Sequence, residues 1–331
     1  MTAVNAVADT ARQAQFEQET GGLRRELLAH CYRMTGSAAD AEDLVQETYL
    51  RAWRGWADFD HRASTRTWMY RIATNACLNA LGAAARRVLP SGLGGPPGDP
   101  TAPLHEDSVT AWLEPLPDAM LWTSAQPTPE ERLLARENVT LAWAAALQNL
   151  TPQQRAVLLL RDVLGLSAAE TAETLDTSVA AVNSTLQRGR AAVGDGLGEG
   201  DEPADPQLED RAVAAFVDAF ERHDFDALVA ALAPGARWQM PPFDRWYSGG
   251  HAAAVLSWTH CPARAAGDLR LAPTPSNGAP AIGMYLLKGR RFEAFQFMVL
   301  HADATGRVDD VVGFFDPHLF RLAGLPLGLD S

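Results

Sequence analysis

The sequence predicts a multidomain chain: two all-α modules, the second with a helix-turn-helix, followed by an α+β domain. Three observations predict it. Apolar residues recur at three- and four-residue spacing over residues 16–88 and again over 130–194. Prolines and glycines crowd residues 89–129, and Gly, Asp, Glu and Pro crowd 195–206, marking two linkers. Over 207–331 amphipathic helices give way to strand-like runs separated by turn dipeptides, an order that defines the α+β class. At 331 residues the chain has room for two or three domains.

Composition narrows the function classes. Hydrophobic residues at 47% and charged residues at 21% are ordinary for a soluble globular protein. No apolar run approaches the ~18 residues that span a bilayer, so no membrane is expected. The polar, alanine-rich stretch from Met1 to Gln15 does not read as a secretory signal. Cys31, Cys77 and Cys261 are odd in number and lack a CxxC pair. Neither a disulfide framework nor a metal site is expected, which fits a reduced cytoplasm. The net charge is −13, yet no acid occurs between His61 and Gly98, where Arg62, Arg66, Arg71, Arg86 and Arg87 fall. None occurs between Thr177 and Gly194 either, where Arg188 and Arg190 fall. These runs are either solvated faces or two places that meet phosphate.

In the first helical module, Asp40 to Trp56 reads DAEDLVQETYLRAWRGW. Ala41, Leu44, Val45, Thr48, Ala52 and Trp53 share the face expected to be buried. Asp40, Asp43, Glu47, Arg51 and Arg54 share another, either solvated or able to receive a basic helix of a partner. Phe59 to Arg87 follows. There Trp68, Met69 and Tyr70 adjoin Ser64, Thr65, Arg66 and Thr67, with Asn75 and Asn79 one turn apart. Stacking aromatics, amide side chains and arginines are the ingredients of single-strand recognition. The same aromatics can equally be core.

In the second module, Thr151 caps a helix with Pro152 at its first position, and Gly165 ends it. Ser167 and Glu170 form a capping box, and Ser178 or Thr177 caps a third helix through Arg190. The middle helix, turn and third helix match a helix-turn-helix, with a generic three-helix bundle as the alternative. In the helix-turn-helix reading Ser178, Asn183, Ser184 and Gln187 face the major groove, with Arg188 and Arg190 on phosphate or guanine. Ala168, Ala172, Leu175, Val179, Val182 and Leu186 form its small core.

The strings DAEDLVQETYLRAW and TRTWMYRIATNACLNAL resemble the second conserved region of extracytoplasmic-function sigma factors of RNA polymerase. The string LTPQQRAVLLLRDVLGLSAAETAETLDTSVAAVNSTLQRGRA resembles their fourth region. The resemblance implies core RNA polymerase, through its largest-subunit clamp and its flap, and promoter DNA as partners. Asp43, Gln46 and Glu47 fall where such factors grip the clamp. Thr65, Arg66, Trp68, Arg71, Asn75 and Asn79 fall where the minus-ten element is opened. Ser178, Asn183, Ser184, Gln187, Arg188 and Arg190 fall on the helix that reads the minus-thirty-five element. Gly82 departs from relatives that often carry a charged residue there, and a mid-helix glycine costs about 1 kcal/mol against alanine.

In the last domain, Leu208–Arg222, Asp224–Leu232 and His251–Trp258 read as helices. Arg237–Met240, Leu269–Ala272, Ala279–Leu287, Arg291–Ala302 and Val308–Phe315 read as strands of a curled antiparallel sheet. Asn277–Gly278 and Lys288–Gly289 read as hairpin turns. The string DAFERHDFDALVAALAPGARWQMPP resembles the SnoaL-like branch of the nuclear-transport-factor-two-like fold. That implies a cone-shaped domain with a cavity and a small-molecule ligand. Candidate cavity residues are Trp238, Met240, Trp246, Tyr247, His251, Trp258, Tyr285 and Phe297, each also readable as packed core. The fold hosts enzymes with acid–base pairs, and His251, His260, Asp244 and Asp316 are available for one, but fold alone does not establish activity.

The expected function is a non-enzymatic sigma factor, without cofactor or catalytic residues, regulated in cis by its last domain. Two other classes stay open. One is a DNA-tethered cyclase or hydrolase; the other is a regulator using the helix-turn-helix alone, which leaves Asp40 to Arg87 unexplained. Trp112-Leu113-Glu114-Pro115 resembles a linker motif of sigma factors with this fused domain. The glycine-rich C-terminal motif of their best-known branch is missing.

Overall fold

The computed structural model describes residues 2–82, 85–121, 140–194 and 205–330. It divides into two compact units, 1–86 with 146–196 and 87–145 with 197–331. The opening of the second helical block (130–139), the end of the first linker (122–129) and most of the second (195–204) lie outside the described residues.

The first unit is helical. Helix α1 (Thr2–Thr20) begins well before the expected start at residue 16. Helices α2 (Arg24–Thr35), α3 (Ala38–Gly55) and α4 (Thr65–Leu81) follow. Gly36 ends α2 with a left-handed φ of 72°, a conformation that suits glycine. Ser37 then caps α3 by accepting the Asp40 N–H at 3.1 Å, and Ser64 caps α4 by accepting the Thr67 N–H at 3.1 Å. Leu27, Cys31, Met34, Val45, Met69, Ala73 and Cys77 are fully buried among these helices. Gly82 stands at the C-cap of α4, so its cost falls on the helix end rather than on its interior.

Helix α5 (Leu141–Gln148) leads into the second helical module. Helix α6 (Pro152–Leu158) continues as a π-helical turn, Leu159–Val163, and Gly165 (φ 69°) ends it. Helices α7 (Ala168–Thr174) and α8 (Val179–Gly194) complete the motif. The expected capping box of Ser167 with Glu170 forms, and the Thr151 cap is completed by Gln154 into a second one. Val182 and Leu186 are buried as expected. Val179 is 45% exposed, because it is the first residue of α8, one turn short of Val182, where the helix meets its neighbours.

The second unit packs helices α9 (Pro206–Glu221), α10 (Phe225–Ala231) and α11 (Gly250–His260) against a mixed sheet. Its strands are β1 (Leu232–Gln239), β2 (Trp246–Ser248), β3 (Leu269–Ser276), β4 (Ala279–Lys288), β5 (Arg291–Ala302), β6 (Val308–Phe314) and β7 (Gly328–Asp330). The order is β2-β1-β6-β5-β4-β3, with β7 paired to β5. The sheet is not wholly antiparallel: β1 runs parallel to β6, with Trp238 opposite Val311. The helices and strands between β1 and β6 make that long crossover possible. The Asn277–Gly278 turn is as expected, with both residues at positive φ (56° and 67°). The next turn sits one residue later than expected: Lys288 pairs with Arg291, so Gly289 and Arg290 form it.

Phe216, Phe220, Leu228, Trp238, Met298 and Val311 form the core between helices and sheet. On the sheet's other face, helix α12 (His318–Leu322) lays Phe320 against Tyr285 and Phe297, at ring distances of 5.2 and 6.0 Å. Gly283 permits this approach, since a Cβ there would stand 2.6 Å from Leu325 Cδ1.

Residues 89–121 of the expected 89–129 linker contain only 3₁₀ turns at Pro90–Leu93 and Asp118–Met120 and isolated bridges. They are nonetheless ordered along the second unit. Gly98 N–H donates to Trp246 O at 2.8 Å, Asp107 N–H to Pro242 O at 2.9 Å, and Ser91 N–H to Gln239 Oε1 at 3.0 Å. Leu116 and Asn277 bond reciprocally: Leu116 N–H to Asn277 Oδ1 at 2.8 Å, and Asn277 N–H to Leu116 O at 2.9 Å. In the expected motif, Leu113 is fully buried, Trp112 Nε1 donates to Asp107 O at 3.0 Å, and Glu114 pairs with Arg87 at 3.3 Å.

Candidate polymerase and nucleic-acid interfaces

On α3 the buried side (Ala41, Leu44, Val45, Thr48) fixes which residues point out. Asp43 and Gln46 are exposed and Glu47 is half-buried, forming an acidic stripe. Glu47 accepts from Arg51 one turn on at 2.5 Å, and Gln46 donates to Glu42 at 3.4 Å. Ion pairs this exposed hold little, so the stripe is available to a basic partner.

On α4 the named residues divide into two groups. Thr65 donates to Glu19 Oε2 at 2.6 Å, and that hydroxyl is the largest cause holding the Glu19 carboxyl below its usual range. Arg66 donates to Glu26 at 2.8 Å and lies 5.0 Å over the Tyr70 ring. Trp68 is half-buried and stacks on Phe59 at 4.5 Å, beside Trp56 at 5.9 Å. Trp68 is thus anchored in an aromatic cluster while remaining partly exposed. The second group, Arg71, Asn75 and Asn79, recurs every four residues and makes one stripe. Asn79 is exposed. Arg71 pairs with Glu173 at 3.4 Å, and Asn75 Nδ2 donates to Thr174 O at 3.4 Å. Both partners belong to α7, so the first helix of the helix-turn-helix covers part of this stripe.

On α8, Ser178, Asn183, Ser184, Gln187 and Arg188 are exposed. Ser178 caps the helix through the Ala181 N–H at 3.2 Å. Arg188 reaches Thr185 Oγ1 at 3.1 Å, a contact easily exchanged for a phosphate. Arg190 differs: it makes a two-pronged pair with Asp162, at 2.8 and 2.6 Å, that ties α8 to the π-helical turn.

Sequence reasoning missed Arg155. Its guanidinium, on α6, is buried and donates to Met34 O at the end of α2, to Gln148 Oε1 at 2.7 Å and to Leu150 O at 3.2 Å. Burial lowers its pKa to about 10, which leaves it charged at neutral pH. It pins one helical module to the other. The only signal in sequence was a lone arginine ahead of the apolar run AVLLL.

Residues 22–87 match the Sigma-70 region 2 family, and residues 140–193 match Sigma-70, region 4. The chain is 48% identical over 322 residues to the ECF RNA polymerase sigma factor SigG of Mycobacterium tuberculosis, covering 95% of this chain and 85% of that one. This chain belongs to the ECF RNA polymerase sigma factors. It is also 31% identical to SigJ of the same species over 65% of this chain and 62% of SigJ. The crystal structure of SigJ shares the fold, with a TM-score of 0.57, 24% identity and coverage of 94% and 99%. In this sigma factor the two helical modules are therefore regions 2 and 4, followed by an α+β domain.

The candidate cavity residues of the last domain scatter. Trp238, Met240 and Tyr247 are buried in the core cluster, while Tyr285 and Phe297 are buried under α12 on the opposite face. Trp246 Nε1 donates to Gly95 O at 2.9 Å. Trp258 is half-buried against His223 and Phe225, and His251 is exposed beside Phe225. The four acid–base candidates also stay apart. Asp244 meets His105 at 3.1 Å, His260 Nε2 lies 3.2 Å from Pro100 O, and exposed Asp316 caps His318. No pair among these four is in hydrogen-bond contact among the described residues. No described helix is long and apolar enough to cross a membrane.

Proposed function

We propose that this sigma factor rests with regions 2 and 4 closed on each other and opens when it joins core polymerase at a promoter. Asp43, Gln46 and Glu47 on α3 grip the clamp, and region 4 meets the flap. Thr65, Arg66, Trp68, Arg71, Asn75 and Asn79 open the minus-ten element. Ser178, Asn183, Ser184, Gln187, Arg188 and Arg190 read the minus-thirty-five element, Arg190 after release from Asp162 or by holding the helix that reads.

The observation that carries this is the contact of Arg71 and Asn75 with α7. Two elements roughly 25 base pairs apart are separated by about 85 Å of B-form duplex at 3.4 Å per pair. An α8 of 16 residues is about 24 Å long at 1.5 Å per residue. Modules joined by a 3.4 Å hydrogen bond cannot reach both elements at once. We further propose that the SnoaL-like domain is not an enzyme, and that it regulates in cis by holding residues 88–121 and by taking a small-molecule ligand. The protein acts in the cytoplasm, where its polymerase is.

Reconstitution with core polymerase on genomic DNA tests the proposal. Full-length protein is expected to give promoter-dependent transcripts, and a chain lacking 207–331 to give a different yield from the same promoters. No promoter-dependent transcript from either form rejects the sigma reading. Equal yields reject regulation in cis.

A further inference from the structure

In the second unit a cleft of about 700 Å³ opens between α9, the β3–β4 hairpin and the 3₁₀ turn at Asp118. That volume lies in the ordinary range for a site holding a drug-sized molecule. Val213 and Val217 of α9 and Pro273 of β3 give it apolar walls. Its charged groups have one sign: Asp118, Glu209, Asp210, Asp218 and Glu221 line it, and no Lys, Arg or His is among the described lining residues.

An acidic rim alone is common on a chain of net charge −13, and Glu209, Asp218 and Glu221 are already engaged. Asp218 pairs with Arg222 at 3.2 Å, and Glu221 accepts the Leu271 N–H at 3.0 Å. Asp118 is different. It is 5% exposed, and its Oδ1 accepts the Gly278 N–H at 3.0 Å. Its Oδ2 has neither hydrogen bond nor ion pair among the described residues, although the side chain lines the cleft. Burial accordingly pushes its carboxyl up to about 6. A buried carboxylate is costly where, as here among the described residues, no cation pairs with it, and a cation brought to it relieves that cost.

We infer that this cleft binds a small organic cation with an apolar body, its positive group on Asp118 and its body along Val213, Val217 and Pro273. The site lies apart from Trp238, Met240 and Tyr247, which are packed core. Asp118 belongs to the segment before the SnoaL-like domain and Gly278 to the hairpin, so an occupant bridges the two. This deepens the ligand reading above and rests on it only in supposing that a ligand exists.

The test is a fluorescence-anisotropy titration of the full-length protein with dansylcadaverine, a primary ammonium on a naphthalene body, and with its neutral N-acetyl derivative. The ammonium form is expected to saturate the protein and the neutral form to bind at least ten-fold more weakly. Asp118→Asn, which keeps an acceptor for Gly278, is expected to weaken the ammonium at least ten-fold while unfolding like the wild type. Val213→Trp, which fills the wall without touching Asp118, is expected to abolish binding. No saturable binding up to millimolar probe, equal binding of the two forms, or undiminished binding by both variants overturns the inference. Transcription is not part of this readout, so failure here leaves the regulatory reading to its own experiment.

Discussion

The helical unit and the α+β unit hold their parts in opposite ways. Contacts between regions 2 and 4 include the exposed Arg71–Glu173 pair, the part-buried Asn75–Thr174 bond, the exposed Arg86–Asn149 bond and one buried pin, Arg155. The segment 88–121 is instead stitched to its unit by main-chain bonds along its length, buried where Leu116 meets Asn277. Exposed ion pairs are worth little and exchange readily, whereas a buried donor left without its acceptor costs about 1–3 kcal/mol. The first arrangement suits a surface that must be uncovered. The second suits a segment that must stay in place.

This contrast can be broken from its strongest contact downward. Arg155→Leu removes a buried cation that serves three acceptors, so about 3–5 kcal/mol of stability is expected to disappear in urea unfolding. A loss under 1 kcal/mol would show that Arg155 is no pin. Asn277→Ala loses the Leu116 bond and puts alanine at a φ of 56°. About 2–3 kcal/mol is expected, with faster proteolysis within 88–121, and Asn277→Gly should recover only the backbone part. Unchanged proteolysis would contradict the stitching.

Acid should weaken the helical unit in particular. His30 is fully buried, with Nε2 2.9 Å from Thr74 Oγ1, Tyr70 packed on its ring and Arg33 nearby. Burial, more than Arg33, lowers its pKa to about 3 from 6.5. The folded state therefore resists a proton that the unfolded chain accepts. Stability from this group is complete above pH 6.5 and falls as pH drops toward 3, by about 2 kcal/mol at pH 5. His30→Gln should flatten that slope in pH-dependent unfolding; an unaltered slope would assign it to other groups. The smallest effect on stability is expected from Glu173→Ala, below about 0.5 kcal/mol. By uncovering Arg71 it should nonetheless raise binding of minus-ten single strands several-fold in a filter assay. Unchanged binding would mean that this pair does not restrain the stripe.

Much of the local structure was legible because its causes are local. The Thr151 cap, the Ser167–Glu170 capping box and the Asn277–Gly278 turn each lie within four residues of chain. What could not be read depends on partners far away in sequence. Arg155 reaches Met34 across 121 residues, and Asn75 reaches Thr174 across 99. Asn277 was legible as a turn residue, but its side chain also holds Leu116, 161 residues away. Aromatic content suggested one cavity, yet strand alternation sends Trp238 to one face of the sheet and Tyr285 and Phe297 to the other. A proline-rich stretch such as 88–121 has no periodicity, so its fit could not be foreseen.

The most direct test is the distance between regions 2 and 4 before and after core polymerase is added. Spin labels on cysteines at Arg54 of α3 and Ala192 of α8, both exposed, would report it in full-length protein with Cys261→Ala. The predicted result is a short, narrow distance alone and a lengthening of some tens of ångströms in the complex with polymerase. An unchanged distance in a complex that transcribes from a promoter would contradict the account.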